Sequence, residues 1–163
     1  MAEPANTAPL CYTSLTPLIA ERHGDLTYSG DQGYGFARSI NAVPLLAEEF
    51  GLAQATYPIL FPHAAPHLPL ALLGARRGVN DFVGDDGRWR TDAYVPAYLR
   101  RYPFMLASTA THPGRRLLCA DLAAEGFSGG TGAATLLLAV LDLLRHQHGL
   151  VPLSWAEAFG FAA

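Results

Sequence analysis

Residues 67–89, HLPLALLGARRGVNDFVGDDGRW, carry the strongest fold signal in the chain. LPLALLG is apolar at nearly every position, which predicts a central strand that is covered on both faces. Turn-forming residues follow at Arg77–Gly78 and at Asp85–Asp86–Gly87, and an Asp–Gly pair tolerates the positive φ angles of a tight hairpin. The stretch therefore predicts an antiparallel meander with strands in HLPLALLGARRG, VNDFVG and GRW.

Shorter elements surround this predicted meander. Apolar and β-branched runs bounded by turn formers predict strands in TPLIAERHG (16–24), LTYSG (26–30), YPILFP (57–62), PFMLAST (103–109) and RRLLCADL (115–122). Prolines at the first turn predict short helices after Pro44 and in PAYLRR, which must end before Pro103. These elements are too short to be domains of their own, so they belong to one unit.

A leucine-rich pattern predicts one long helix over residues 134–147. Leu137, Leu141 and Leu144 share one helical face, and Gly149 ends the pattern. The predicted fold class is therefore α+β: a mainly antiparallel sheet with a central hairpin meander, one long C-terminal helix and short accessory helices. Residues 1–13, rich in Ala, Pro and Thr, are predicted to be a loose tail, and residues 14–163 a single domain.

Charge and cysteine usage narrow the function classes. The chain of 163 residues has a net charge of −3, and its 11 basic residues are all arginine, which excludes lysine-dependent Schiff-base and phosphate-loop chemistry. The arginines are dispersed through an acidic chain, which argues against nucleic acid as a partner. No run is long enough to span a membrane, the start does not resemble a secretory signal, and two distant cysteines fit a reducing compartment. We expect a cytoplasmic protein.

Aromatic and arginine residues are concentrated in residues 87–104, GRWRTDAYVPAYLRRYPF. Rigid aromatic rings and forked guanidinium groups are enriched at protein interfaces. We therefore predict a noncatalytic binding protein whose contact face for a peptide or protein partner consists of Trp89, Tyr94, Tyr98, Arg100 and Arg101. The alternative is structural: the tyrosines would cover the core, and the arginines would pair with nearby aspartates.

The sequence gives weaker support to a catalytic function. A metal-assisted enzyme is the alternative hypothesis, with His23, Asp81 and Asp85 as the metal or proton-transfer residues. Ser128 lies in GFSGG, which fits G-x-S-x-G, but the sequence lacks the surrounding sheet and triad order of a hydrolase, so a glycine-rich connection explains it better. No cofactor is predicted. A structural role, in which the 134–147 helix pairs in a homodimer, is a third hypothesis.

Several short sequence motifs occur in an order that resembles the bacterial SapC family. They are ERH, YGFARSINAVPLLAEEF, YPILF, PLALLGARRGVNDFVGDDGRWRTDAYVPAYLRRYPFMLA and LLCAD, and they fall within residues 18–150. The resemblance implies a link to surface-layer secretion and to neighbours such as outer-membrane uptake receptors, halogenase-like flavoproteins and cupin or JmjC-like oxygenases. It brings no catalytic motif. Gly84 departs from the acidic or amide residue expected before the hairpin turn, and the usual C-terminal extension is not part of this sequence.

Overall fold

The computed structural model describes residues 9–30, 33–63, 67–109 and 112–129. Within these ranges the chain forms three small antiparallel sheets and three α-helices of four residues each. The strands are β1 Thr16–Pro17, β2 Leu26–Tyr28, β3 Ala42–Pro44, β4 Ile59–Leu60, β5 Leu70–Leu72, β6 Phe104–Thr109, β7 His112–Ala120 and β8 Phe127–Gly129. The helices are α1 Ala20–His23, α2 Phe50–Ala53 and α3 Ala97–Arg100, with 3-10 turns at Gly35–Ala37 and Ala47–Glu49.

The apolar run LPLALLG forms the centre of its sheet, as predicted. β5 lies between β3 and β4, and both pairs are antiparallel. Val43 on β3 faces Ala71 on β5, and both side chains are inaccessible to solvent together with Leu73. These residues belong to the main hydrophobic core, which also contains Trp89 and Leu99.

The chain after β5 does not form the predicted meander. Residues 79–84 make one backbone bond back to the strand, from Asp81 N to Leu73 O at 2.9 Å. Asn80 instead turns inward: its amide donates to Ala37 O at 3.1 Å, and its carbonyl oxygen accepts from Phe82 N at 2.9 Å. Because the buried amide binds a neighbouring loop, the segment cannot continue as a ladder along β5.

The predicted hairpin turn after this segment is present but short. Gly87 adopts a φ of 77°, the conformation that the Asp–Gly signal indicated. Its flanks are joined by the single bridge of Val83 with Trp89. Gly84 N donates to Arg88 O at 2.9 Å, and Arg90 N donates to Phe82 O at the same distance. The element is thus a tight corner that carries Trp89 into the core.

The other two sheets join the two ends of the described chain. β7 lies between β1 and β6, while β2 pairs with β8. Phe104 and Ala120 form a second, smaller cluster with aromatic neighbours from β2 and β8. Buried Asp121 directly follows β7, and its carboxylate accepts from the backbone N of Thr13 and, at 3.2 Å, from that of Ala123. β6 and β7 confirm the strands predicted in PFMLAST and RRLLCADL.

The predicted fold class was therefore wrong. Among the described residues, strand residues outnumber helical ones, there is no central meander, and the longest continuous helical stretch is the seven residues Ala47–Ala53. Ala20–His23, predicted as strand, is a helical turn. The predicted 134–147 helix lies outside the described residues, and so does the homodimer contact assigned to it. No helix in the described ranges is long and apolar enough to cross a membrane.

Candidate functional site

Trp89, the first residue of the predicted contact face, lies in the core. Its side chain is 8% exposed and packs in the main hydrophobic cluster. The indole stacks on Phe82 with ring centroids 6.0 Å apart and meets Tyr34 edge-on at 5.4 Å. In this position Trp89 does not reach a partner directly, because other side chains cover it. Its ring contacts instead anchor the corner at Gly87 in the core.

The remaining four residues of the predicted face lie on or beside α3. Pro96 and Leu99 are fully buried, so the helical turn is anchored in the core on one side. Tyr98 and Arg100 alternate with these buried positions and are partly exposed, as are Tyr94 and Arg101. The structure thus brings Tyr94, Tyr98, Arg100 and Arg101 together on one short surface segment, which we call the α3 face.

A buried carboxylate holds the α3 face in place. Glu49 is 5% exposed, and its Oε1 accepts from the backbone N of Ala97 at 2.7 Å and from the Tyr94 hydroxyl at 2.9 Å. Its Oε2 accepts from Leu46 N at 2.8 Å. One carboxylate therefore satisfies backbone donors at the start of α3 and at the start of the Ala47–Glu49 turn, where no backbone acceptor is in place.

Tyr94 connects Glu49 to Arg100. The Tyr94 hydroxyl donates to Glu49 and accepts from Arg100 Nη2 at 3.0 Å. Burial, followed by the Glu49 carboxylate, raises the pKa of Tyr94, so its proton stays in place for donation. The three side chains form a chain of hydrogen bonds from the interior to the surface, and this chain fixes the orientation of the guanidinium.

Both arginines of the α3 face lie against tyrosine rings. Arg101 Cζ lies 4.1 Å from the Tyr98 ring centroid, and Arg100 Cζ lies 5.4 Å from that of Tyr94. These distances are in the range of cation–π attraction. The Nε atoms of both arginines are buried without a hydrogen-bond partner, and among the described residues neither arginine forms an ion pair with a carboxylate.

Residues 9–13, which the sequence assigned to the loose tail, pack beside the α3 face. The Tyr98 hydroxyl donates to Leu10 O at 3.0 Å, and the Tyr12 hydroxyl donates to Phe104 O at 2.8 Å. Burial raises the pKa of the Cys11 thiol to about 12, and the nearby Arg101 charge offsets part of that rise. At neutral pH Cys11 is therefore a protonated thiol, which makes it a poor nucleophile.

The arginines around residues 84–92 have aspartates as neighbours. Arg90 Nη2 lies 2.8 Å from Asp92 Oδ2 in a forked contact, and Arg88 Nε lies 3.9 Å from Asp86. Arg38 reaches Asp85 at 3.5 Å and also donates to the backbone oxygens of Gly84 and Asp85. The structural alternative, arginines paired with aspartates, thus holds for residues 84–92 but not for the described surroundings of α3.

The alternative metal site is not assembled. The His23 ring closes its own helical turn, with Nδ1 accepting from Ile19 N at 3.1 Å. Asp85 bonds Arg38, and Asp81 is an exposed turn residue next to Gly74. No group of three or more His, Cys, Asp or Glu side chains in the described ranges could hold a metal ion. Ser128 is a strand residue of β8 that bonds the Thr27 hydroxyl at 2.7 Å.

Sequence reasoning missed Glu49 as a site residue. The usual signal is Ser or Thr at the start of a helix with Glu three residues later, and here Leu46 occupies the first position. Glu49 also follows Glu48, so the pair reads as an exposed charged turn. Only the fold, which brings Ala97 over residue 49, distinguishes the buried acid from its exposed neighbour.

A family model supports the resemblance seen in the sequence words. The model for SapC matches residues 18–139, which is more than half of the chain and includes all of the α3 face. No curated protein and no solved structure matches the chain. Because the family match covers residues 18–139, from just after β1 through β8, the chain belongs to the SapC family.

Proposed function

We propose that this protein is a noncatalytic binding protein that recognises a peptide or protein partner through the α3 face. The observation that carries the proposal is the state of Arg100 and Arg101. Both guanidiniums are partly buried, stack on tyrosines and lack an ion pair among the described residues. Ordered aromatic rings with arginine forks are a composition that favours polypeptide binding.

The proposed biological setting follows from the family. Its relatives suggest a bacterial surface, uptake or peptide-modification system, in which this chain would act as an accessory protein. A cytoplasmic location is part of the proposal, and the two free thiols, Cys11 and Cys119, are consistent with a reducing compartment.

Site-specific cross-linking in the native cell tests this function. A photoreactive phenylalanine analogue in place of Tyr98 is expected to cross-link one polypeptide, which mass spectrometry then identifies. The same analogue in place of Arg77, an exposed residue of the 75–78 turn, is the matched control. Cross-links that are equal at both positions, or absent at Tyr98, would contradict the proposed function.

A further inference from the structure

The inference concerns what the α3 face binds, and it rests on the proposed function. Arg100 and Arg101 combine partial burial with the lack of a carboxylate partner among the described residues. By contrast, Arg88 and Arg90 each meet an aspartate, while Arg76 and Arg77 are exposed to water. Partly desolvated charges are costly unless an opposite charge approaches them. We infer that the partner supplies this charge as an acidic polypeptide segment with two carboxylates.

The geometry favours carboxylates over a single point of negative charge. The rings of Tyr94 and Tyr98 each lie against one guanidinium, and Arg100 Nη2 also donates to the Tyr94 hydroxyl. Because the Nε atoms of both arginines are buried, the terminal Nη groups are the donors that remain for a ligand. A guanidinium fork matches the two oxygens of a carboxylate and forms short, charge-assisted bonds to it. Because consecutive residues around a helical turn point about 100° apart, each guanidinium needs its own carboxylate, and two acidic residues in one segment can supply them.

The surroundings favour a polypeptide over a polyanion such as nucleic acid. Leu10 is 44% exposed, and its backbone carbonyl is bonded by Tyr98, so an apolar surface adjoins the arginine pair. The chain as a whole carries a net charge of −3, which repels long polyanions but not a short segment that meets local positive charge. The expected ligand therefore combines two acidic residues with an apolar residue.

A displayed library of random dodecapeptides, selected on the full chain, tests the inference. We expect enriched peptides to contain two Asp or Glu residues near an apolar residue. One such peptide is then synthesised together with its Asn and Gln counterpart, and fluorescence polarisation gives the affinity of each. Arg100→Gln and Arg101→Gln should each weaken binding of the acidic peptide about tenfold, and the amide peptide should bind the unchanged protein at least as weakly.

The control pair is Arg76→Gln and Arg77→Gln, a second consecutive arginine pair that is exposed to solvent. These substitutions should leave the affinity within about twofold, because exposed charges are screened by salt. Substitution on the peptide tests the inference even if an arginine variant unfolds. Enriched peptides without acidic residues, equal losses for both arginine pairs, or full competition by an oligonucleotide would overturn the inference but not the proposed function. A library that yields no binder, with no cross-link at Tyr98, would overturn both.

Discussion

The arginines of residues 84–92 and those of the α3 face carry the same charge but differ in their neighbours. Arg88 and Arg90 meet aspartates two residues away in sequence, on an exposed surface. Arg100 and Arg101 lie on tyrosine rings, partly buried, with no such aspartate in the described surroundings. Local sequence thus neutralises the charge of Arg88 and Arg90 within their own loop, whereas Arg100 and Arg101 have no carboxylate partner among the described residues.

Each region depends on one buried residue. Trp89 anchors the first region through its contacts with Phe82 and Tyr34, and Glu49 anchors the second through Tyr94 and Ala97. The first anchor is apolar and the second is a carboxylate that satisfies polar donors. Replacement of the anchors therefore breaks the two regions by different mechanisms.

The largest effect is expected for Trp89→Ala. Removal of a buried indole leaves a cavity among aromatic rings, and the free energy of unfolding should fall by about 3–5 kcal/mol in urea titrations. Leu52→Ala, at a side chain that is 61% exposed, is the control and should change little. Trp89→Phe keeps most of the packing, so it should leave peptide binding unchanged. Lost binding in a folded Trp89→Phe protein would show that Trp89 contacts the partner itself.

Glu49→Ala should be the next most destabilising change, at about 3 kcal/mol in the same titrations. The buried backbone donor Ala97 N and the partly buried donor Leu46 N both lose a charged acceptor, and the loss at Ala97 is the costlier one. Glu48→Ala is the matched control, since Glu48 is exposed on the same turn. If the two variants were equally stable, Glu49 would not be the support of the α3 face.

The fold also shows which features could be predicted from the sequence. Apolar runs predicted β5 as a central strand, and Asp–Gly chemistry predicted the turn at Gly87, because both signals are local. The meander failed because Asn80 binds Ala37, more than 40 residues away. Partners at that separation leave no trace in the spacing of neighbouring residues.

For the candidate site as well, local features could be predicted from the sequence and distant contacts could not. Tyrosines four residues apart beside consecutive arginines pointed to the α3 face, and each tyrosine does lie against one arginine, although Tyr94 precedes the single helical turn of α3. Trp89 was predicted to lie on the contact surface but is buried, because composition does not give the direction of a side chain. Glu49 was missed, since its burial depends on Ala97, 48 positions further along the chain.

A smaller effect on stability is expected at alkaline pH, and it arises beside the α3 face. Burial raises the pKa of Cys11 from 9.0 to about 12, beside the α3 face. The folded protein thus favours the neutral thiol, so this contribution to stability is complete below pH 9 and is lost as the pH rises toward 12. In a Cys119→Ala background, iodoacetamide should modify Cys11 slowly at pH 8.5. Arg101→Gln should slow the reaction further, because the arginine charge lowers the thiol pKa; faster reaction would place Arg101 away from Cys11.

The smallest effect is expected for the Arg90 and Asp92 pair. Arg90, through its hydrogen bonds and charge, lowers the pKa of Asp92, and this contribution to stability is present above the unfolded pKa and lost as the pH falls through the folded one. Arg90→Gln should return the Asp92 pKa toward its ordinary value in an NMR titration. The urea midpoint at pH 7 should stay within experimental error, since water and salt screen an exposed pair. A clear drop in that midpoint would mean that the paired arginines also support the fold, and the contrast between the two regions would then rest on the missing carboxylates alone.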